Sequence, residues 1–235
     1  MKLSIIIPVL NEAGILEAQL KRLQWMRHLG HELIVADGGS QDDTVLLAAP
    51  LADRVVSAPA GRAVQMNAGA RSAVGDVLLF LHADTLLPDD GIRAITENIV
   101  RQSTTWGRFD VRLSGGHILF RLIEQMMNWR SRLTGIATGD QAIFIARSLF
   151  EKLGGYAAIL LMEDVEMSRR LKQQARPICL SQKVVTSSRR WEQNGILKTV
   201  WLMWRLRLAY WLGADPARLA RHYRPKISPI GTRNQ

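Results

Sequence analysis

The sequence predicts one α/β domain with a mostly parallel sheet flanked by helices, followed by a C-terminal helical tail. Three observations indicate this fold. Apolar runs alternate with amphipathic stretches through the first half of the 235 residues, which is typical of βαβ units. Polar residues directly follow several of these runs, as they do at the carboxyl ends of parallel strands. The last part of the chain is basic and rich in tryptophan, which separates it from the domain.

The first half predicts four strands with helices between them. We expect the strands over residues 3–9, 32–36, 54–57 and 77–81, where short apolar runs are bounded by turn residues. The expected helices are one capped by Asn11 and ended by Gly30, one that begins at Ser40 or Asp42, and two over residues 62–74 and 92–100. This order is that of a nucleotide-binding half-sheet.

The second half has a different order. Strands are expected over residues 109–113, 142–145 and 178–186, and helices over 118–133, 163–174 and 195–213. No repeat or low-complexity linker interrupts the chain. We therefore divide it into an α/β domain of residues 1–190 and a basic, Trp-rich helical tail of residues 191–235.

The composition favours a cytoplasmic protein. Cys179 is the only cysteine, so no internal disulfide can form. The first apolar run is interrupted too early for a signal peptide, by Pro8, Asn11 and Glu12, and predicts a buried strand. No run reaches the roughly 20 apolar residues that span a bilayer. Peripheral contact of the tail with the inner face of a membrane is an option.

The positive charge is concentrated in the tail. The chain carries 31 Lys and Arg against 21 Asp and Glu, a net charge of +10. Residues 189–235 alone account for +8, from ten basic residues and two acids. Such a segment suits an anionic membrane surface, an anionic acceptor or nucleic acid, or it is a solvated basic face. We expect no nucleic-acid partner.

Polar residues that follow three predicted strands are expected to meet in one crevice, because the carboxyl ends of parallel strands share one edge of the sheet. These residues are Asn11 and Glu12 after the first strand, Asp37 and Gly38 after the second, and His82, Ala83 and Asp84 after the fourth. Two nucleotide-binding classes are disfavoured. The first loop lacks Gly-x-Gly-x-x-Gly, and the chain has no Gly-Lys-Ser/Thr.

Each of these side chains has a chemical and a structural interpretation. Asp37 is placed to accept hydrogen bonds from a ribose or base, or it caps a helix in a turn. Asp84 ends a buried strand, and its carboxylate suits Mg²⁺ or Mn²⁺ bound to a diphosphate. His82 is a second ligand, a phosphate contact or a capped strand end. Arg62, at a predicted helix start, suits a phosphate or a base edge, or is a surface arginine.

Three acids, Glu163, Asp164 and Glu166, lie in the first turn of the predicted helix over 163–174. Acids are favoured there by the helix dipole. The functional alternative is a general base, a carboxylate that takes the proton from an acceptor hydroxyl as it attacks a sugar carbon. Both interpretations stay open at this point.

Together these segments resemble the family 2 inverting glycosyltransferases of GT-A fold, over residues 3–191. The matching segments are IIIPVLNE (5–12), DGGSQDDT (37–44), RAVQMNAG (62–69), HAD (82–84), FIAR (144–147) with GGY (154–156), and ED (163–164) with RRL (169–171). Each segment alone is a weak signal, but their shared order is specific.

The resemblance implies a role for each matched position. Asp84 would bind the metal, Mg²⁺ or Mn²⁺, and Asp164 would be the catalytic base, supported by Glu163. The nucleotide would be bound by Pro8, Val9, Asn11, Glu12, Asp37, Gly38, Arg62, Asn67 and Ala83. The donor sugar or the acceptor would be contacted by His82, Gly139, Asp140, Gln141, Arg190 and Trp191.

The sequence departs from the family pattern at two places. His82 stands where the family has the first aspartate of Asp-x-Asp, which affects how the ribose or metal is held. Ser187 stands where polymer synthases have the glutamine of Gln-x-x-Arg-Trp, which argues against processive synthesis. The HAD, GDQ and RRW segments also resemble a bacterial subgroup associated with arsenosugar-type biosynthesis.

The implied activity is transfer of a sugar from a nucleoside diphosphate sugar, a UDP-sugar on family frequency, to an acceptor hydroxyl with inversion. One alternative is a catalytically silent nucleotide-sugar-binding protein docked on membranes by its tail. Another is a nucleotidyltransferase, which requires a Gly- and Arg-rich first loop with a lysine. Residues 8–12 lack both features.

The predicted tail helix carries one apolar stripe, formed by Leu197, Trp201, Trp204, Leu208 and Trp211. Such a stripe packs on the domain, forms a homodimer interface or lies in a membrane interface. We expect packing or dimerisation rather than membrane contact.

Overall fold

The computed structural model describes residues 1–102 and 105–223. Within them one sheet contains β1 (Leu3–Val9), β2 (Glu32–Asp37), β3 (Arg54–Ser57), β4 (Val77–Phe80), β5 (Thr85–Leu86), β6 (Trp106–Leu113), β7 (Phe144–Ala146) and β8 (Ile178–Thr186). The helices are α1 (Ala13–Arg22), α2 (Gln24–His28), α3 (Thr44–Ala48), α4 (Arg62–Ser72), α5 (Gly91–Gln102), α6 (Ile118–Thr134), α7 (Arg147–Lys152), α8 (Glu163–Gln174), α9 (Arg189–Asn194), α10 (Ile196–Trp211) and α11 (Pro216–Tyr223). A 3-10 helix spans Gly139–Gln141.

The strand order β3-β2-β1-β4-β7-β6-β8-β5 places the first four strands together as a parallel half-sheet. β7 then runs antiparallel to both β4 and β6, whereas β8 is parallel to β6. The short β5 pairs antiparallel with β8. The sheet is therefore mostly parallel, as predicted, and the carboxyl ends of β1, β2 and β4 lie side by side.

Helices cover both faces of the sheet, which explains why its central strands are apolar on both sides. Alternate residues of β1 point to opposite layers: Ile5 and Ile7 pack with residues of α1, α5 and α6, and Ile6 packs with residues of α4, α7 and α8. These residues are fully buried. The result is a three-layer α/β/α arrangement in which α4 and α8 approach the site from one side of the sheet.

Most predicted element bounds hold to within a few residues, and β1, β3, β8 and α8 begin and end as predicted. β6 begins earlier than expected, at Trp106, whose indole is buried and donates to the carbonyl of Ala175 at 2.8 Å. The two-residue β5 and the short α7 were not predicted. Both are too short to show a periodicity.

Two predicted helix starts are wrong. Asn11 does not cap α1, because Glu12 is the residue before the helix and Asn11 has a positive φ of 55°. The side-chain oxygen of Asn11 instead accepts from the backbone of Gln41. The next helix begins at Thr44 rather than near Ser40, since residues 38–43 form an extended loop. The first helical segment is also divided into α1 and α2.

Up to Tyr223, the tail folds as α9, α10 and α11. It contacts the domain through a face of α10 that the sequence did not indicate. Leu206 of α10 is buried against Met162 and against Leu219 of α11. The predicted apolar stripe of α10 is instead solvent-exposed, by 58% at Leu208 to 77% at Trp211. Of the three expected alternatives, the structure does not display packing on the domain, and dimerisation and membrane contact stay predictions. No described helix is long and apolar enough to cross a bilayer.

Candidate active site

Hydrogen bonds join the loops that follow β1 and β2. The backbone N–H of Asn11 donates to Ser40 Oγ at 2.8 Å, and Gln41 N donates back to Asn11 Oδ1 at 2.8 Å. Glu12 N donates to Thr44 Oγ1 at 2.8 Å. We call residues 8–13, 37–44 and 81–84 the strand-end loops. The first two of these segments are held in one conformation by their own polar groups.

Asp37 organises the second loop from inside. Its carboxylate is 3% exposed and accepts hydrogen bonds from Gly39 N at 2.9 Å and Ser40 N at 3.1 Å. Asp37 therefore stabilises a turn, which is part of the structural interpretation given above. It does not cap a helix, because α3 begins only at Thr44. A carboxylate has about four lone-pair positions, so these bonds leave room for a further donor.

Gln65 of α4 fixes the two strand ends to each other. Its amide nitrogen donates to the carbonyls of Val9, at 2.6 Å, and Ala36, at 2.9 Å. A Cβ at position 38 would lie 2.9 Å from that nitrogen, so only glycine fits there without a shift. Pro8, Val9 and Gly38 therefore form a rigid backbone floor at this edge of the sheet.

The carboxyl groups that follow the first and fourth strands, Glu12 and Asp84, lie close enough for their charges to interact. Burial, and next the negative charge of Asp84, raise the pKa of Glu12, while Arg189 and Arg62 act in the opposite direction. The buried backbone of Ala83 precedes Asp84. A cavity of about 290 Å³ lies beside Asp84 and is also lined by Arg189. The pKa of Glu12 thus responds to charged groups from three other segments of the chain, namely Asp84, Arg189 and Arg62.

His82 packs against the 3-10 helix and faces Asp140. Its Nδ1 lies 3.6 Å from Asp140 Oδ1, and a Cβ at Gly139 would meet its Nε2 at 2.6 Å. Burial acts to raise the pKa of Asp140, but the neighbouring His82 and the positive charges of Arg62 and Arg207 together outweigh burial, and the pKa is lowered to about 2. Asp140 is therefore an anion at neutral pH.

Asp164 is held by backbone donors at the start of α8. Its Oδ2 accepts from Gly139 N at 2.8 Å and its Oδ1 from Val165 N at 2.7 Å. The preceding residue, Glu163, is 6% exposed. Burial, and next the charge of Asp164, raise the pKa of Glu163. The pair thus combines a partly exposed carboxylate that is oriented by backbone donors with a buried one that resists ionisation.

Arg62 stands at the first turn of α4, among these acids. Desolvation acts to lower its pKa, but the charges of Glu163, Asp140 and Asp164 outweigh it, and the pKa is raised. The guanidinium is therefore permanently charged. It provides a positive group between the strand-end loops and Asp164.

Two predicted contact residues have structural partners instead. Both amide atoms of Asn67 are bonded to the backbone of Tyr156, at 2.8 and 2.9 Å, so this side chain positions the loop before α8. Gln141 is fully buried and donates to Ser131 Oγ at 3.0 Å. Its side chain therefore supports the 3-10 helix from inside the protein.

The predicted pair Arg190 and Trp191 lies in α9, at the junction of domain and tail. The guanidinium carbon of Arg190 lies 3.7 Å from the centre of the Tyr223 ring, and its Nη2 donates to the carbonyl of Tyr223. Trp191 lines a cavity that Asp140 also lines. α11 thus closes back on the site through Tyr223, a contact that the sequence did not indicate.

No group of three or more His, Cys, Asp or Glu side chains in residues 1–102 and 105–223 could hold a metal by itself. The oxygen donors of Asp84 and the neighbouring Glu12 fit a hard divalent cation that takes its other ligands from a bound diphosphate. The donor chemistry is therefore compatible with Mg²⁺ or Mn²⁺, as part of a substrate complex.

Comparison with known proteins identifies the class. A family model described as "Glycosyl transferase family 2" matches residues 4–154. The match covers more than half of the chain, and the chain belongs to glycosyl transferase family 2. A PGL/p-HBAD biosynthesis glycosyltransferase of Mycobacterium bovis (strain BCG / Pasteur 1173P2) is 30% identical over 174 residues, which are 65% of this chain and 62% of that protein. The chain thus spans about 62% of the length of this relative.

Solved structures share the fold at lower identity. S. aureus TarS 1-349 in complex with UDP-GlcNAc has a TM-score of 0.66 at 17% identity, covering 80% of this chain and 58% of that chain. Glucosyl-3-phosphoglycerate synthase from Mycobacterium tuberculosis, in complex with Mn²⁺, UDP and glucosyl-3-phosphoglycerate, has a TM-score of 0.62 at 18% identity, covering 90% and 78%. The fold is therefore of the GT-A type, as predicted.

Proposed function

We propose that this protein transfers a sugar from a UDP-sugar to an acceptor hydroxyl. The observation that carries the proposal is that Arg62 links acids distant in sequence at one edge of the sheet. Its charge acts on Glu12, which also lies within electrostatic range of Asp84. The charges of Asp140 and Asp164 act in turn on Arg62. The family match and the UDP-bound structural relatives support it. None of the relatives described above carries an arsenosugar name, and we propose no acceptor of that kind.

The strand-end loops would bind the nucleotide. Their hydrogen bonds hold the backbone at Pro8, Asn11 and Gly38 in place before a ligand arrives, so binding costs little ordering entropy. Arg62 would contact a phosphate, and Asp84 would hold the divalent cation. When bound, that cation supplies neutralisation of the charge on the diphosphate.

The reaction would be a single in-line displacement at the anomeric carbon, with inversion. The acceptor oxygen forms a bond to that carbon while the bond from carbon to the diphosphate oxygen breaks, and the electron pair leaves with the diphosphate. Asp164 takes the acceptor proton. Its two backbone donors, Gly139 N and Val165 N, fix the orientation of the carboxylate for this step. Glu163 would support it from the buried side.

A donor screen tests the proposal. Thermal unfolding is measured with UDP-, GDP- and dTDP-sugars, each with and without Mn²⁺ or Mg²⁺, since a ligand that binds only the folded state raises its stability. We expect the largest shift with a UDP-sugar plus metal. Release of UDP from that donor then separates an enzyme from a silent binding protein. Formation of a sugar 1-phosphate with consumption of pyrophosphate would indicate nucleotidyl transfer and overturn the proposal.

A further inference from the structure

A large apolar groove lies between α6 and α10, next to the candidate active site. Its volume is about 300 Å³, which is within the range of small-molecule sites. Most of its walls are hydrophobic. We call it the α6–α10 groove, and its lining includes Met126, Trp129, Leu133, Trp191, Met203 and Trp204.

The groove is continuous with the candidate active site. Asp140 lines its inner end, and the same carboxylate lies 3.6 Å from His82. Trp191, for which the family resemblance implied a sugar or acceptor contact, forms part of the wall. A molecule in the groove would therefore have one end at the acids of the site and the other at the protein surface.

Two arginines, Arg130 and Arg207, line the groove together with Asp140. Nε and Nη2 of Arg130 are buried and have no hydrogen-bond partner in the described part of the chain. Burial, and next the positive charge of Arg207, lower the pKa of Arg130 to about 10, so the guanidinium stays charged at neutral pH. Buried donors without partners are rare and costly. They fit an anionic group of a ligand.

The outer edge of the groove opens onto an exposed apolar surface. We call this surface the α6–α10 face. On α6 it consists of Ile118, Leu122, Met126, Trp129 and Leu133, each 44–80% exposed. On α10 it consists of Leu197, Trp201, Trp204, Leu208 and Trp211, each 58–77% exposed. Both sets recur at helical spacing, so each forms one stripe.

Positive charge accompanies this apolar surface. α6 and α10 together contain six basic residues, of which Arg121 pairs with Glu124 and Arg132 pairs with Asp110. Among the described residues, four basic residues of these helices have no acid in ion-pair contact, namely Arg130, Lys198, Arg205 and Arg207. Tryptophan and leucine beside arginine and lysine are typical of helices that lie in a membrane interface. Anionic lipids attract such a surface.

We propose that the α6–α10 face binds a membrane surface and that the α6–α10 groove is the acceptor site for a membrane lipid with an anionic head group. The lipid's apolar chain would lie along the groove, its anionic group would contact Arg130 and Arg207, and its hydroxyl would reach Asp164. This inference rests on the proposed transferase function and names its acceptor class.

A second copy of the chain is the competing occupant. In a two-fold dimer the same surface meets itself, so the cationic α6–α10 face would oppose an identical cationic face. Like charges that face each other across an interface are unfavourable. An anionic lipid surface has the complementary charge instead.

Vesicle flotation of the full chain tests the membrane contact. We expect the protein to float with phosphatidylcholine vesicles that contain phosphatidylglycerol, and much less with phosphatidylcholine alone. Combining Trp129→Ser, Trp201→Ser and Trp204→Ser should reduce the bound fraction at least tenfold. A control with Leu29→Ser and Val100→Ser, also exposed apolar residues, should bind as the wild type does. Far-UV circular dichroism verifies that all variants are folded.

A monomeric short-chain lipid tests the groove separately from the surface. Dihexanoyl-phosphatidylglycerol, below its micelle concentration, should bind and be weakened at least tenfold by Arg130→Gln. Trp201 does not line the groove, so Trp201→Ser should leave this affinity unchanged. Equal affinity of Arg130→Gln and wild type would overturn the acceptor assignment.

The remaining outcomes also decide the matter. A protein that stays in solution with both vesicle types overturns the inference. So does a dimer, detected by sedimentation, that the triple tryptophan variant abolishes while vesicles remain unbound. Either result leaves the donor-side function standing if UDP-sugar plus Mn²⁺ still raises the melting temperature. Loss of that thermal shift would instead refute the proposed function itself.

Discussion

The strand-end loops and the α6–α10 groove lie on either side of the candidate active site and differ in how far their polar and apolar groups are satisfied within the protein. The loops satisfy their polar groups internally, as the bonds between Asn11, Ser40 and Gln41 show. The groove leaves its groups without partners, since Arg130 has unbonded nitrogens among the described residues and Trp204 is 61% exposed. The strand-end loops, which we propose bind the compact and polar nucleotide, are preorganised by the fold. The α6–α10 groove, which we propose binds a large apolar lipid, keeps exposed apolar groups and unpaired donors that such a ligand would cover.

The largest expected effect concerns the carboxylate between the two regions. Asp164→Asn removes the proton acceptor but keeps a side-chain oxygen for Gly139 N, so turnover should fall about 1000-fold while UDP-sugar binding stays within a few-fold. Steady-state kinetics and calorimetry measure the two quantities. Glu166→Gln is the matched control, because Glu166 lies in the same helical turn and pairs with Arg170. A variant Asp164→Asn that retained turnover would reassign the base.

The second-largest effect is expected on the free energy of unfolding when Gly38, in the second strand-end loop, is replaced. Gly38→Ala places a Cβ against the Gln65 amide that joins β1 to β2. We expect a loss of about 2 kcal/mol in the free energy of unfolding, as for other overpacked sites. Trp204→Ser, in the exposed region, should change it by less than about 0.5 kcal/mol. Urea denaturation compares them, and equal losses would contradict the contrast between the regions.

A smaller effect is expected at Glu163, where burial raises the pKa. In the unfolded chain this carboxyl ionises near its ordinary value of 4.5, whereas in the folded protein it still binds its proton. Stability therefore falls as the pH rises from that value through the raised pKa. Glu163→Gln cannot ionise, so the free energy of unfolding of this variant should rise relative to that of the wild type between pH 4 and pH 7.5. Thermal unfolding across this range checks it, and a constant difference would contradict the cause assigned.

The sequence predicts the strand-end loops well because their signals are local. β1, β3 and β8 follow from short apolar runs with flanking turn residues, and the placement of Asp37 and Asp84 follows from where their strands end. The individual roles are harder to predict. Asn67 and Gln141 match a family segment or an implied contact, yet their amides bond to Tyr156 and Ser131.

The groove could not be predicted because it arises from helices that are distant in sequence. The periodicity of α10 shows that Trp201 and Trp204 share a stripe, but it does not say whether that stripe is covered. Tertiary packing decides this: α10 turns Leu206 inward against Met162 and leaves the tryptophans outside. Arg130 belongs to no sequence motif. Only its position beside Asp140 and Arg207 in the folded protein identifies it as a candidate ligand contact.

The central claim is that Asp84 lies beside a metal-bound nucleotide diphosphate. Calorimetric titration of UDP with and without Mn²⁺ tests it most directly, with Asp84→Asn compared with Asp89→Asn, an exposed aspartate in the adjoining loop. We predict that Mn²⁺ tightens UDP binding to the wild type and to Asp89→Asn. In Asp84→Asn, the factor by which Mn²⁺ increases UDP affinity should be at least tenfold smaller. If Asp84→Asn kept the full Mn²⁺ dependence, the claim would be contradicted.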